Sequence, residues 1–165
     1  RFIPRLPAGV RLFFLGSGIG LLLYLVYHYL VYPLRVRITQ DDIVLCLEPL
    51  NPIVDHLGYW LTKMSDAADI VYEVDSPKVK ILMDIYHQQL TEGNIILNIR
   101  QYINLIGHFH TAGVPGRHEL SGGELDYQSI FRVIGELGYK HYVGLEFAPT
   151  GEPNSALKQA LELAK

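Results

Sequence analysis

The stretch Val79 to His87, VKILMDIYH, sets a five-residue run, apolar but for Lys80, directly against an aspartate, with a histidine three residues further on. A run of this length and composition reads as a buried strand of a parallel sheet, so Asp84 falls at its C-terminal end. The same arrangement recurs three times. IVLCL (Ile43 to Leu47) is followed by Glu48, LIGHF (Leu105 to Phe109) by His110, and HYVGL (His141 to Leu145) by Glu146. The four residues lie 36, 26 and 36 positions apart, and each strand delivers one hard-donor side chain to the same edge.

Helical patterns fill the intervals. LTKMSDAADIVYEV and NIILNIRQYI follow the first two strands. DYQSIFRVIGELG places Tyr127, Ile130, Phe131, Ile134 and Leu137 at helical spacing, with Gly138 as a stop. NSALKQALELA closes the chain, with Asn154 expected as its N-cap. Strand and helix alternate from residue 39 to 165, which is the pattern of an α/β protein built from four βα units.

In a parallel barrel the C-terminal strand ends converge on the active-site face. Three carboxylates and an imidazole meeting there repel one another unless a cation joins them. Glu48, Asp84, His110 and Glu146 are therefore expected to ligate a divalent metal, and their oxygen-rich donor set suits Mn²⁺, Mg²⁺ or Co²⁺ better than a structural zinc.

The bulk composition narrows the alternatives. With 14 Lys and Arg against 17 Asp and Glu, the net charge is −3, and the basic residues are scattered, so no nucleic-acid partner is expected. The single cysteine, Cys46, excludes an intrachain disulfide and a thiolate zinc cluster, and its apolar surroundings read as a buried small hydrophobe.

Residues 1–38 have a different texture. Leu12 to Leu34 runs 23 residues without a charge, flanked by Arg5 and Arg11 before and Arg35 and Arg37 after. At 1.5 Å per residue that length crosses a hydrocarbon core of about 30 Å, so a transmembrane helix is expected, with a membrane as partner. The barrel portion itself is expected in the cytoplasm, membrane-anchored through this segment.

The assembled stretches CLEPLN, KILMDIYHQQLTEGN, GHFHTAGVPGRHE, GELDYQSIFRVIGELGY and VGLEFAPTG resemble the hydroxypyruvate isomerase family of the xylose isomerase-like TIM barrels, over about Ile43 to Thr150. The resemblance implies an aldose-ketose type isomerase that interconverts hydroxypyruvate and 2-hydroxy-3-oxopropanoate. By the same resemblance Glu48 and Glu146 are the catalytic proton donor and acceptor, Asp84 and His110 complete the metal shell, and His87 and Arg117 contact the substrate. A small hydroxy-keto acid or sugar is the implied substrate. Relatives nearest to hydroxypyruvate isomerase often carry Gln where His110 stands, whereas His is usual in ketose 3-epimerases of the superfamily, which makes such an epimerase the alternative.

Three further residues of GHFHTAGVPGRHE have other readings. His108 alternates with His110 on the strand and is expected deeper on the same face, as a core histidine. His118 and Glu119 are expected to fix the loop or face solvent. A complete barrel needs eight βα units and about 250 residues. Only four are recognisable here, matching the C-terminal half, so the chain reads as a fragment or as a half barrel whose open sheet edges call for a second copy or another partner. A non-catalytic, membrane-tethered half barrel is thus a further alternative.

Overall fold

The computed structural model describes residues 43–165 and, before them, Tyr29 alone. The expected membrane span of Leu12 to Leu34 lies outside the described residues. Among those described, no helix is long and apolar enough to cross a membrane.

Among the described residues the elements run β1 (Leu45–Leu47), α1 (Met64–Val74), β2 (Val79–Asp84), α2 (Ile85–Thr91), α3 (Ile95–Tyr102), β3 (Ile106–Thr111), α4 (Tyr127–Glu136), β4 (Val143–Leu145) and α5 (Pro153–Leu163), with a 3₁₀ turn at Ile103–Leu105. The four strands are parallel and lie in chain order, β1-β2-β3-β4. Sequential parallel order without a switch point is what consecutive βα units of a barrel give, and it separates this sheet from the doubly wound orders.

One face of the sheet holds the core. Val79, Ile81 and Met83 of β2 and Ile106 and Phe109 of β3 are buried against the helices. Met64, Ala67, Ala68 and Val71 form the buried stripe of α1, at i, i+3, i+4 and i+7, and Ile99 of α3 and Tyr127, Ile130, Val133 and Ile134 of α4 close over the same cluster. Each large side chain so buried stabilises the fold by about 1.5–3 kcal/mol relative to exposure. Tyr127 also donates its hydroxyl to the carbonyl of Ala112 at 2.7 Å, which anchors α4 to the end of β3.

The helix starts are set locally and at a distance. Asp84 caps α2, and Asp126 caps α4 by accepting from Ser129 N. The first turn of α1 takes its cap from elsewhere, since Met64 N donates to Glu92 Oε2 at 2.8 Å. The expected cap of α5 is corrected: Glu152, not Asn154, accepts from Ser155 N, because Pro153 occupies the first helical position and starts the helix earlier. Helix α2 was not expected. It forms because Asp84 supplies the N-terminal acceptor immediately after the strand.

The parallel register between β2 and β3 breaks once. Ile81 pairs with Ile106, but Leu82 pairs with His108, leaving Gly107 bulged out. A Cβ at Gly107 would stand 2.7 Å from Lys80 Cβ and 3.3 Å from Cys46 Sγ, so the crowded bulge admits only glycine. Beyond it, His110 lies opposite Asp84. An unbroken register would put Phe109 there and turn His110 to the helix side, since one residue of slip exchanges the two faces.

Candidate active site

The residues expected to stand just beyond the strands occupy slightly different places. Glu48 and Glu146 do follow β1 and β4, whereas Asp84 is the last residue of β2 and His110 the penultimate residue of β3. The ladders continue further at the centre of the sheet than at its edges. All four side chains nevertheless converge, with one ligand atom from each within 4.8 Å of every other.

Asp84 is the buried member. Its Oδ1 accepts from Tyr86 N at 2.8 Å and His87 N at 3.4 Å, and its Oδ2 faces Arg117 Nη2 at 3.3 Å. Burial pushes its pKa up to about 6, against the pull of the Arg117 guanidinium and the two backbone N–H groups. Glu48 is also raised, first by burial and then by the neighbouring Asp84 charge. For Glu146 burial works upward too, but the His110 and Arg117 charges outweigh it and hold the carboxyl below its ordinary value. Its side chain is 47% exposed, against 1% for Asp84, so water keeps part of its charge solvated.

His110 supplies the test of whether this donor set fits a metal. Its Nδ1 is buried and has no hydrogen-bond partner among the described residues, although Glu146 Oε2 lies 2.9 Å away and Glu48 Oε1 3.9 Å away. The ring nitrogen stands at ion-pair distance from Glu146 and Glu48 without a hydrogen bond to either. An orphaned imidazole nitrogen among three carboxylates fits a divalent cation that accepts nitrogen and oxygen together.

Arg117 reaches this centre from the loop after β3. The loop takes left-handed backbone at Gly116 (φ 92°) and at Arg117 itself (φ 59°), a costly conformation for arginine. It is held there by Arg117 N donating to Gly113 O at 3.0 Å and by Ala148 N donating to Arg117 O at 2.9 Å. The guanidinium then lies 2.7 Å from Glu146 Oε2 and 5.0 Å over the Tyr86 ring. His118 and Glu119 fix the loop, as expected. The former bonds through Nδ1 to Ala148 O at 2.8 Å, and the latter accepts from Thr150 N at 2.7 Å.

His87 is 1% exposed and lies beside the cluster, its Nε2 3.6 Å from Asp84 Oδ2. Burial first, then Arg117 and His56, lower its pKa to about 4. His108 shares the face of His110, the rings 5.0 Å apart, but it is only half-buried. The reading of His108 as a core residue is corrected: its face carries the site, and its room comes from Gly144, where a Cβ would stand 3.0 Å from its Nε2. Cys46, on that same face, is likewise half-buried rather than enclosed. Sequence reasoning missed Asn51, Tyr86 and His56, which surround His87. The only signal for Asn51 was its place three residues after Glu48 in CLEPLN.

Residues 36–165 match the family model described as Xylose isomerase-like TIM barrel. The chain is similar to a putative hydroxypyruvate isomerase of Danio rerio, 38% identical over 120 residues that make up 72% of this chain and 44% of the relative. It is also similar to a 2-oxo-tetronate isomerase of Cupriavidus necator, 36% identical over 117 residues, 71% of this chain and 45% of the relative. Among solved structures, the 3-keto-D-glucoside 4-epimerase of E. coli matches with a TM-score of 0.70 and 27% identity, over 81% of this chain and 50% of the other. The chain thus spans less than half the length of these two curated relatives.

Proposed function

The chain belongs to the xylose isomerase-like TIM barrel family, and from that premise we propose that it carries the catalytic strand ends of an aldose-ketose type isomerase acting on a small hydroxylated 2-oxo acid, with hydroxypyruvate and 2-hydroxy-3-oxopropanoate as the interconverted pair. The observation that carries this reading is the convergence of Glu48, Asp84, His110 and Glu146 within 4.8 Å, with the buried His110 Nδ1 left without a hydrogen bond.

Glu48, Asp84, His110 and Glu146 would hold a divalent cation such as Mn²⁺, Mg²⁺ or Co²⁺. Bound there, it supplies positive charge against the oxygens of an enediolate. The remaining work falls to side chains. Glu146, held ionised by His110 and Arg117, removes a proton from the hydroxymethyl carbon of hydroxypyruvate. The electron pair moves into a new carbon–carbon double bond, and the former carbonyl oxygen takes up the negative charge. Glu48, whose carboxyl burial shifts toward protonation, serves as the proton donor to the neighbouring carbon. Its delivery there, with transfer of the hydroxyl proton between the two oxygens, leaves the aldehyde on the other carbon. Two carboxyls pushed apart by their surroundings thus divide the roles of base and acid.

Arg117 and His87 orient the substrate. The planar guanidinium suits a carboxylate, which would compete with Glu146 for its donors. Both relatives above carry names of isomerases for hydroxylated oxo acids, which supports that assignment. A second reading, ketose 3-epimerase, draws on His110 and on the fold shared with an epimerase. It would use the same two glutamates on opposite faces of one carbon. We further propose that residues 1–38 form a segment separate from the barrel units, and that the barrel units associate with a second copy.

The test is isomerisation of hydroxypyruvate by the chain with Mn²⁺ or Mg²⁺ added, beside Glu146→Gln. Metal-dependent turnover lost in the variant is the expected result. A folded sample that epimerises ketoses but leaves hydroxypyruvate untouched would favour the second reading.

A further inference from the structure

Asn51 is fully buried, 0% exposed, and every polar atom of its side chain is engaged. Its Oδ1 accepts from Val54 N at 2.9 Å and Asp55 N at 3.4 Å. Two backbone donors on one atom fix the amide orientation, because the flipped amide would set Nδ2 against N–H groups and Oδ1 against the Asp55 carboxylate. Nδ2 therefore has its two hydrogens for Asp55 Oδ2, at 2.9 Å, and for His87 Nδ1, at 2.7 Å. The backbone N–H of Asn51 points at the same ring nitrogen from 3.4 Å. His87 Nδ1 thus meets two donors and has to accept.

We propose that Asn51 is a positioning residue that fixes the tautomer of His87, so that the imidazole presents an Nε2–H donor, and not a basic lone pair, to an oxygen of the bound substrate. The tautomer follows from the hydrogen bonds alone, while the substrate oxygen rests on the function proposed above. Nε2 lies 3.6 Å from Asp84 Oδ2, longer than a hydrogen bond, so its proton is available on the site side. The ring is held on its other sides by His56 and Tyr86, with centroids 5.1 and 5.2 Å away. A donor in this place stabilises negative charge on oxygen throughout the reaction and leaves proton abstraction to the glutamates.

The experiment is long-range ¹H–¹⁵N correlation of the ¹⁵N-histidine-labelled chain near pH 7.5, with His87→Gln identifying the His87 signals among the seven histidines. The expected pattern is a protonated Nε2 and an unprotonated Nδ1. In Asn51→Asp the new carboxylate accepts from the ring, and Nδ1 becomes protonated. Turnover by Asn51→Asp should then fall roughly 10- to 100-fold in kcat with little change in KM, the scale of losing a group that orients a site residue. A wild-type His87 protonated at Nδ1 alone would overturn the proposal without any variant having to fold, and so would an Asn51→Asp spectrum that keeps the original pattern. An absence of isomerase activity alongside the expected tautomer would instead defeat the proposed function and leave the tautomer assignment standing.

Discussion

The two faces of the four-stranded sheet differ residue by residue. Toward the helices, Ile81, Met83 and Phe109 are each 0% exposed and entirely apolar. On the other face, Lys80, Leu82, His108 and His110 are half-buried, and the charged cluster sits at its C-terminal end. Neighbouring residues on one strand thus belong to different solvents. The helix side is organised by area removed from water, which tolerates no charge. The other side is organised by charge placement, which gives up some stability so that carboxylates can stand together.

Substitutions on the two faces should therefore separate stability from chemistry. The largest expected effect is that of Glu146→Gln, which removes the proposed base and should lower kcat by roughly 10² to 10⁴ while the melting temperature moves little. Steady-state kinetics beside a thermal melt reads both, and a collapse in stability would break the contrast. Phe109→Ala, one residue before the proposed ligand His110, should cost about 3–5 kcal/mol by denaturant titration, because it empties a fully enclosed site.

Asp84 sharpens the contrast through pH. Its folded pKa of about 6 lies above its ordinary value, so the folded protein holds a proton that the unfolded chain has released. The stability from that proton is complete below about pH 4 and is lost as pH rises to about 6. The loss amounts to roughly 3 kcal/mol at most, and it should be visible as a falling melting temperature in chelator-treated protein and absent in Asp84→Asn. Metal ligation requires the deprotonated carboxylate, so stabilisation by added Mn²⁺ should grow across the same interval. The smallest effect is expected from Glu92→Gln, which weakens the cap on the first turn of α1 and should cost about 0.5–2 kcal/mol without altering metal affinity.

The elements were legible where a single segment carries its own pattern. β2 announces itself by a five-residue run that is apolar except for Lys80, and α4 by Tyr127, Ile130 and Ile134 at helical spacing with Asp126 before them. The convergence of Glu48, Asp84, His110 and Glu146 was legible because each is tied to the end of a strand. Helix α2 was hidden, since seven residues leave too little periodicity to read, and its start depends on the same Asp84 that serves the site.

By itself the sequence determined the strand-helix alternation, the four side chains brought to one edge of the sheet, and the loop that carries Arg117. These follow from residue type and local spacing. Only the tertiary structure decided that Gly107 bulges and thereby sets His110 beside Asp84, that Arg117 lies between Asp84 and Glu146, and that Asn51 holds the ring of His87. Register, loop direction and tautomer each depend on atoms brought from distant parts of the chain, 36 residues apart in the case of Asn51 and His87. No local pattern encodes them, because the contacts that fix them exist only once the strands have paired.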